Sequence, residues 1–235
     1  MTAGDPGDLV ATVRDLLARS GDPDRARGQQ AYMKSAMPYR GVTMAELRQL
    51  IRAPLAARSL NEAEWLLVIA RLWDEAEYRE ERYAATEIAQ HNRYRRFAER
   101  PERLHLYEHL VRSGAWWDLV DPIAVHGVGG VLRSARAQGD TTVHVTIRSW
   151  AHDPDLWVRR TAILSQNRFA AQTDTALLVE AIDASLDDRD FFARKAIGWA
   201  LREYAKTDPH WVIAFTDARP GMSRLSRREA RKHLD

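Results

Sequence analysis

Apolar residues in this chain recur almost everywhere at spacings of three and four, and almost nowhere at two. Leu9, Val13, Leu16 and Leu17 fall on one helical face, as do Leu47, Leu50 and Ile51, and then Trp65, Leu66, Ile69 and Leu72. Leu104–Val111, Val158–Gln166, Leu177–Leu186 and Phe191–Tyr204 continue the pattern. The one stretch with strand-like alternation, Thr141–Ile147, is short and runs into Arg148-Ser149-Trp150. The spacing therefore predicts an all-α chain of about a dozen helices. Asp22-Pro23, Asn61, Asp153-Pro154 and Asp208-Pro209 mark expected helix starts, an oxygen-bearing cap followed in three cases by proline. The stretch Gly127–Gly139 is expected to be a loop or irregular turn.

Weak internal repetition says how the helices associate. The run Asp155-Leu-Trp157-Val-Arg-Arg160-Thr-Ala162 resembles Asp190-Phe-Phe192-Ala-Arg-Lys195-Ala-Ile197, and Glu77–Ala84 resembles the first of these about two repeat lengths away. A period near 40 is that of stacked helix pairs, a HEAT-like solenoid with a concave face. No linker composition interrupts residues 1–235, so a single repeat domain is expected, with residues 1–7 a loosely ordered tail.

Composition removes several classes of function. The chain has 235 residues, 45% hydrophobic and 29% charged, which is a globular and not a disordered balance. It contains no cysteine, which excludes disulfides, thiol catalysis, iron–sulfur clusters and thiolate zinc sites, and fits a reducing cytoplasm. No apolar run approaches the roughly 20 residues needed to span a bilayer. Residues 1–10 carry two aspartates and no basic residue, so they do not read as a signal peptide.

Charge is unevenly placed. The formal net charge is +2, yet residues 193–235 hold ten Lys/Arg against five Asp/Glu. A basic end on a near-neutral chain points to an anionic partner there. Of the basic residues 31 are Arg and 4 are Lys, a bias that suits phosphate recognition and also follows from GC-rich coding.

Five groups of residues could carry chemistry. In Ala115-Trp116-Trp117-Asp118-Leu119-Val120-Asp121, a helix puts Trp117 and Asp121 on one face and turns Asp118 about 100° away. An aromatic ring beside a carboxylate attracts a cation. The same residues also suit a buried tryptophan pair with Asp121 capping a helix that starts at Pro122. Arg160 projects among Leu156, Trp157, Ile163 and Leu164, so it needs an anion, either an internal Asp or a phosphate. Lys195, Trp199, Arg202 and Lys206 form one narrow stripe, with an aromatic set among cations as contact with nucleic acid requires. Tyr32 lies on a polar, small-residue face of its helix. Finally, His105-Leu-Tyr-Glu108-His109 matches a zinc-peptidase pattern, but its face is opposite the apolar one and lacks a third ligand, so a solvated surface accounts for it.

Taken together these segments resemble the AlkD-type DNA alkylation repair glycosylases, a family built from HEAT-like repeats. The resemblance runs from about Arg25 to His233. It is carried by Ala31-Tyr32-Met33-Lys34, Leu72-Trp73, Trp116-Trp117-Asp118-Leu-Val-Asp121, Trp157-Val-Arg-Arg160-Thr-Ala-Ile-Leu164, Lys195-Ala-Ile-Gly-Trp199-Ala-Leu-Arg202-Glu-Tyr204-Ala-Lys206 and Leu225-Ser226-Arg-Arg228-Glu229-Ala-Arg-Lys232-His233. Two departures stand out: Pro122 directly after Asp121, and the poorly matched stretch Gly127–Gly139.

The resemblance implies an enzyme that removes N3- and N7-alkylated purines, of the 3-methyladenine and 7-methylguanine type, by hydrolysing the N-glycosidic bond in base excision repair. It places the catalytic carboxylate at Asp121, lesion-flanking aromatics at Trp117, Trp199 and Tyr32, and a phosphate-binding arginine at Arg160. The basic stripe Lys195, Arg202 and Lys206 would then bind the DNA backbone. Such an enzyme works without cofactor or metal, as a monomer on double-stranded DNA in the cytoplasm, away from membranes. The competing expectation is a non-catalytic HEAT-like module that binds DNA or protein, which would keep the stripe and have no need of Asp121.

Overall fold

The computed structural model describes residues 6–234, and among them every regular element is helical. The elements are α1 (Pro6–Arg19), α2 (Pro23–Met33), α3 (Met44–Ala57), α4 (Glu62–Asp74), α5 (Arg79–Ala89), α6 (Arg95–Ala98), α7 (Leu104–Gly114), α8 (Trp117–Pro122), α9 (Gly129–Ala137), α10 (Thr142–Ala151), α11 (Leu156–Leu164), α12 (Thr175–Asp183), α13 (Phe191–Ala205), α14 (Pro209–Asp217) and α15 (Arg224–Ala230). The all-α helical-repeat fold expected from the periodicity is what the chain adopts. Helix α1 begins at Pro6, inside the expected tail; residues 1–5 lie outside the described residues.

Two compact units divide the chain at Phe97/Ala98. In the N-terminal unit, α1 packs on α3, α4 and α5, and α5 on α3 and α4. Leu9, Val13 and Leu17 meet a core that includes Leu47, Ile51, Trp65, Ile69, Leu72 and Ile88, all buried. Helices α3 and α4 open with capping boxes, Thr43 with Glu46 and Asn61 with Glu64. Glu80, fully buried, accepts hydrogen bonds from the backbone N–H groups of Arg40, Gly41 and Val42 at 2.8–3.1 Å. It thereby ties the segment after α2 to α5, and Gly41 takes the left-handed turn (φ 87°) that brings those donors together.

The C-terminal unit shows the repeat. One row of helices runs α7, α8, α11, α13, α15, each packed on the next; α9, α10 and α12 form a second row behind it, and α14 lies against α13. The repeated Asp155 and Asp190 do the same job in consecutive members of the first row. Asp155 accepts from the N–H groups of Trp157 and Val158, and Asp190 from that of Phe192. The cap of α11 is thus Asp155 and not Asp153, which instead accepts from the Asp155 N–H at 2.8 Å.

One sequence expectation is borne out here and one is corrected. The alternating stretch Thr141–Ile147 is helix α10, since Val143, Ile147, Trp150 and Ala151 recur at helical spacing and are buried while Val145 is exposed. The Gly127–Gly139 stretch is not a loop. The chain runs on from α8 through a π-helical segment, Ile123–Val128, into α9. Its glycines serve close packing: a Cβ at Gly127 would stand 2.7 Å from the Tyr107 ring, and one at Gly129 would stand 2.6 Å from the Ser165 carbonyl. Only Gly139, just past α9, takes a positive φ (73°), the usual way a helix ends.

Candidate active site

Helix α8 starts abruptly. Ala115 adopts a left-handed conformation (φ 40°) that ends α7, Trp116 is extended, and α8 begins at Trp117. Asp121 therefore lies inside the helix, one turn beyond Trp117, and does not cap a helix starting at Pro122. Pro122 lacks the N–H that would bond to the Asp118 carbonyl, and the wide π turn follows directly. The continuous helix through Pro122 keeps Trp117 and Asp121 on a shared face, Trp117 half-buried and the Asp121 side chain largely buried.

Arg160, from α11, meets Asp121 across the row. Its Nε donates to Asp121 Oδ1 and its Nη2 to Oδ2, both at 2.7 Å. Its Nη1 donates to the Phe192 carbonyl of α13 at 2.5 Å. One guanidinium thus joins three successive helices of the row. The Arg160 side chain is 5% exposed and that of Asp121 13%. Of the two anions open to Arg160 on sequence, the internal Asp is the one it holds. All three guanidinium nitrogens donate within the protein, through three of the side chain's five N–H groups.

The pair sits in a demanding environment. Burial pushes the Asp121 carboxyl above the ordinary carboxylate range, the bonds and charge of Arg160 pull it back, and the negative charge of Asp118 adds to the rise. An aromatic cluster includes Phe192, whose backbone carbonyl Arg160 holds. Trp116, Trp157 and Phe192 form a triangle with centroids 5.1–5.8 Å apart, and Phe191, more than half exposed, stands edge-on to Phe192 at 5.4 Å. An arginine-anchored carboxylate that is largely buried can stabilise a nearby positive charge, because the anion is aimed in advance and partly shielded from water.

The basic stripe lies on α13. Lys195 Nζ is 3.1 Å from Glu229 Oε1, and Arg202 Nη1 donates to Glu229 Oε2 at 2.8 Å; Lys206 pairs with Glu203 at 2.5 Å. Burial disfavours the charged form of Glu229, yet its two cations hold its carboxyl below the ordinary range. Trp199 is half-buried between them. Tyr32 belongs to the N-terminal unit, on α2, a helix with no buried residue, and is 75% exposed. His105 and His109 are exposed on α7, while Glu108 is taken up by Arg112, which also grips Asp153 at 2.6 Å. Among the described residues no group of three or more His, Asp or Glu is arranged to hold a metal ion.

Sequence reasoning missed Phe192 as the third anchor of Arg160 and gave Glu229 no role. A signal for the first pairing was present: Asp121 and Arg160 are 39 residues apart, about one repeat, so they occupy matching levels of adjacent helices.

The fold and site define an all-helical repeat protein with a buried, arginine-anchored carboxylate and a cation-rich helix. The chain belongs to the DNA alkylation repair enzyme family, whose model matches residues 13–234. It is similar to a solved structure described as a predicted DNA alkylation repair enzyme from Enterococcus faecalis, with 26% identity, a TM-score of 0.80, and coverage of 91% of this chain and 96% of that one. No curated protein matches the chain. No helix among the described residues is long and apolar enough to cross a membrane.

Proposed function

We propose that this DNA alkylation repair enzyme is a monofunctional glycosylase that excises positively charged N3- and N7-alkylated purines from double-stranded DNA. The observation that carries the reading is the Asp121 carboxylate, held through both oxygens by Arg160 on the face it shares with Trp117. Alkylation at N3 or N7 gives the purine a positive charge and makes it a good leaving group. As the glycosidic bond breaks, the sugar acquires oxocarbenium character and the base leaves neutral, so no general acid is needed. One carboxylate then suffices, to stabilise the sugar cation and orient the attacking water. Arg160 occupies one lone pair on each Asp121 oxygen and leaves the others to act. Trp117 and Trp199 would favour the cationic base by cation–π attraction, worth about 0.5–2 kcal/mol. Tyr32 is proposed as a further aromatic contact, and Lys195, Arg202 and Lys206 as backbone contacts.

Release of free 7-methylguanine from duplex DNA in EDTA, under single-turnover conditions, tests the reading. Wild type should excise, and Asp121→Asn should be slower by roughly 10²–10³-fold, the scale for losing one preorganised electrostatic contact. Equal rates for both proteins, with both folded, would leave a non-catalytic DNA-binding module in its place.

A further inference from the structure

The C-terminal segment Leu225–His233 stood out in the sequence without a role, and its position in the structure supplies one. Helix α15 closes onto α13 more tightly than side chains usually allow. A Cβ on Gly198 would stand 2.4 Å from Glu229 Cβ and 2.9 Å from the Ser226 carbonyl. The Ser226 hydroxyl donates to the Arg194 carbonyl at 3.0 Å, and Ser223 caps the helix. This approach delivers the Glu229 carboxylate, 13% exposed, between Lys195 and Arg202, one oxygen to each. The two cations are seven residues apart on α13, two helical turns, and Trp199 lies between them. Long basic side chains four and three residues from an indole are within reach of its face. Among the described residues, however, none lies over the Trp199 ring.

We propose that Glu229 is a specificity-determining positioning residue: it draws Lys195 and Arg202 to the α15 side of α13, keeping the Trp199 face clear of the protein's own cations and restraining the stripe's attraction for undamaged DNA. The part concerning a cationic base rests on the glycosylase reading; the part concerning undamaged DNA does not. A carboxylate shared by two cations lowers the charge that phosphates meet, so the stripe guides the backbone without gripping every sequence equally. Discrimination then comes from the indole face, which gains from a charged purine and little from a neutral one.

The test compares wild type, Glu229→Gln and Glu229→Asp, each with and without Lys195→Met/Arg202→Met. Three quantities are read: melting temperature, affinity for an undamaged duplex against salt, and single-turnover release of 7-methylguanine. Glu229→Gln should bind undamaged DNA more tightly, with a log–log salt slope steeper by about 0.9–1.8, one or two further phosphates. Its excision rate relative to undamaged-DNA affinity should fall several-fold, Glu229→Asp should recover part of both effects, and both should vanish in the Lys195→Met/Arg202→Met background. A Glu229→Gln protein with unchanged salt slope, or one whose changes persist without the two cations, overturns the proposal and makes Glu229 a structural tie. If Glu229→Gln melts too low to assay, Glu229→Asp decides by the same comparison. Absence of base release from wild type would count against the glycosylase reading and the indole-face part together, while the salt slopes would still decide the restraint on undamaged DNA.

Discussion

Two carboxylates in the C-terminal unit are clamped by basic side chains of a neighbouring helix, and they are clamped differently. Asp121 gives both oxygens to a single guanidinium that is 5% exposed and is itself pinned to the Phe192 carbonyl. Glu229 divides its oxygens between two cations, Lys195 and Arg202, that are 36% and 25% exposed. The first geometry fixes a charge in place: bidentate and buried. The second sets the strength of a field at a surface, where each cation can leave its acid for a phosphate at small cost. Anchoring is thus the property of the α8–α11 contact and charge balance that of the α13–α15 contact.

Breaking the anchored pair should have the larger effect. Arg160→Ala leaves a buried carboxylate unpaired and should cost about 3–5 kcal/mol of stability, seen as a large fall in melting temperature. Its excision rate should drop with that of Asp121→Asn, and combining the two should cost little more than either alone. Arg160→Lys should fail to restore the rate, because an ammonium cannot meet both oxygens and the Phe192 carbonyl in one plane. An Arg160→Ala protein that keeps full stability would show that the pair is not the anchor described.

The next effect tests the close approach that creates the second clamp. Gly198→Ala gains roughly 1 kcal/mol of helix propensity. It also forces α15 outward against a 2.4 Å contact, and overpacking of this kind costs about 1–3 kcal/mol. The expected outcome is a modest loss of stability with DNA-binding changes like those of Glu229→Gln. A Gly198→Ala protein that is more stable and binds DNA as wild type does would show that the clamp tolerates a wider gap.

Smaller still is the effect of the stripe itself. Three cations there face two carboxylates, Glu229 and Glu203. Replacing Lys195, Arg202 and Lys206 with alanine should weaken binding to any duplex and flatten the salt slope by about 0.9 for each phosphate lost. Unchanged affinity and slope would reduce the stripe to solvated surface.

The smallest expected effect is on the anchored pair's titration. Lowering the pH protonates Asp121 and removes the charge that catalysis requires, so excision should fall on the acid side with a midpoint above about 3.9, the value of an unperturbed Asp. The charge of Asp118 contributes to that rise. Asp118→Asn should move the acid limb to lower pH and leave the plateau rate nearly unaltered. A collapse of the plateau would place Asp118 in the chemistry.

Much of this was legible in advance where local rules suffice. Asp22, Asn61 and Asp208 cap their helices as their positions beside proline or acid suggested. The Trp117/Asp121 face survived because a helix, once formed, projects residues four apart in one direction. An error arose where a residue had two uses. Glycines at 127 and 129 read as a loop, but they sit under Tyr107 and the Ser165 carbonyl, a demand set by elements elsewhere in the chain. The alternation in Thr141–Ile147, which the all-α reading set aside, arises because one apolar residue, Val145, falls on the solvent side of α10.

By itself the sequence determined the helical class, the repeat near 40 residues and the candidate side chains, because periodicity and capping depend only on neighbours along the chain. Tertiary structure alone decided whom Arg160 serves. The spacing demanded an anion, and an aspartate 39 residues away meets that demand, which makes Arg160 the anchor of the carboxylate. Likewise only the packing of α15 on Gly198 revealed that the cations beside Trp199 are held by Glu229. Burial and charge pairing are settled by distances in space, and for side chains on different helices those distances are written nowhere in the order of the residues.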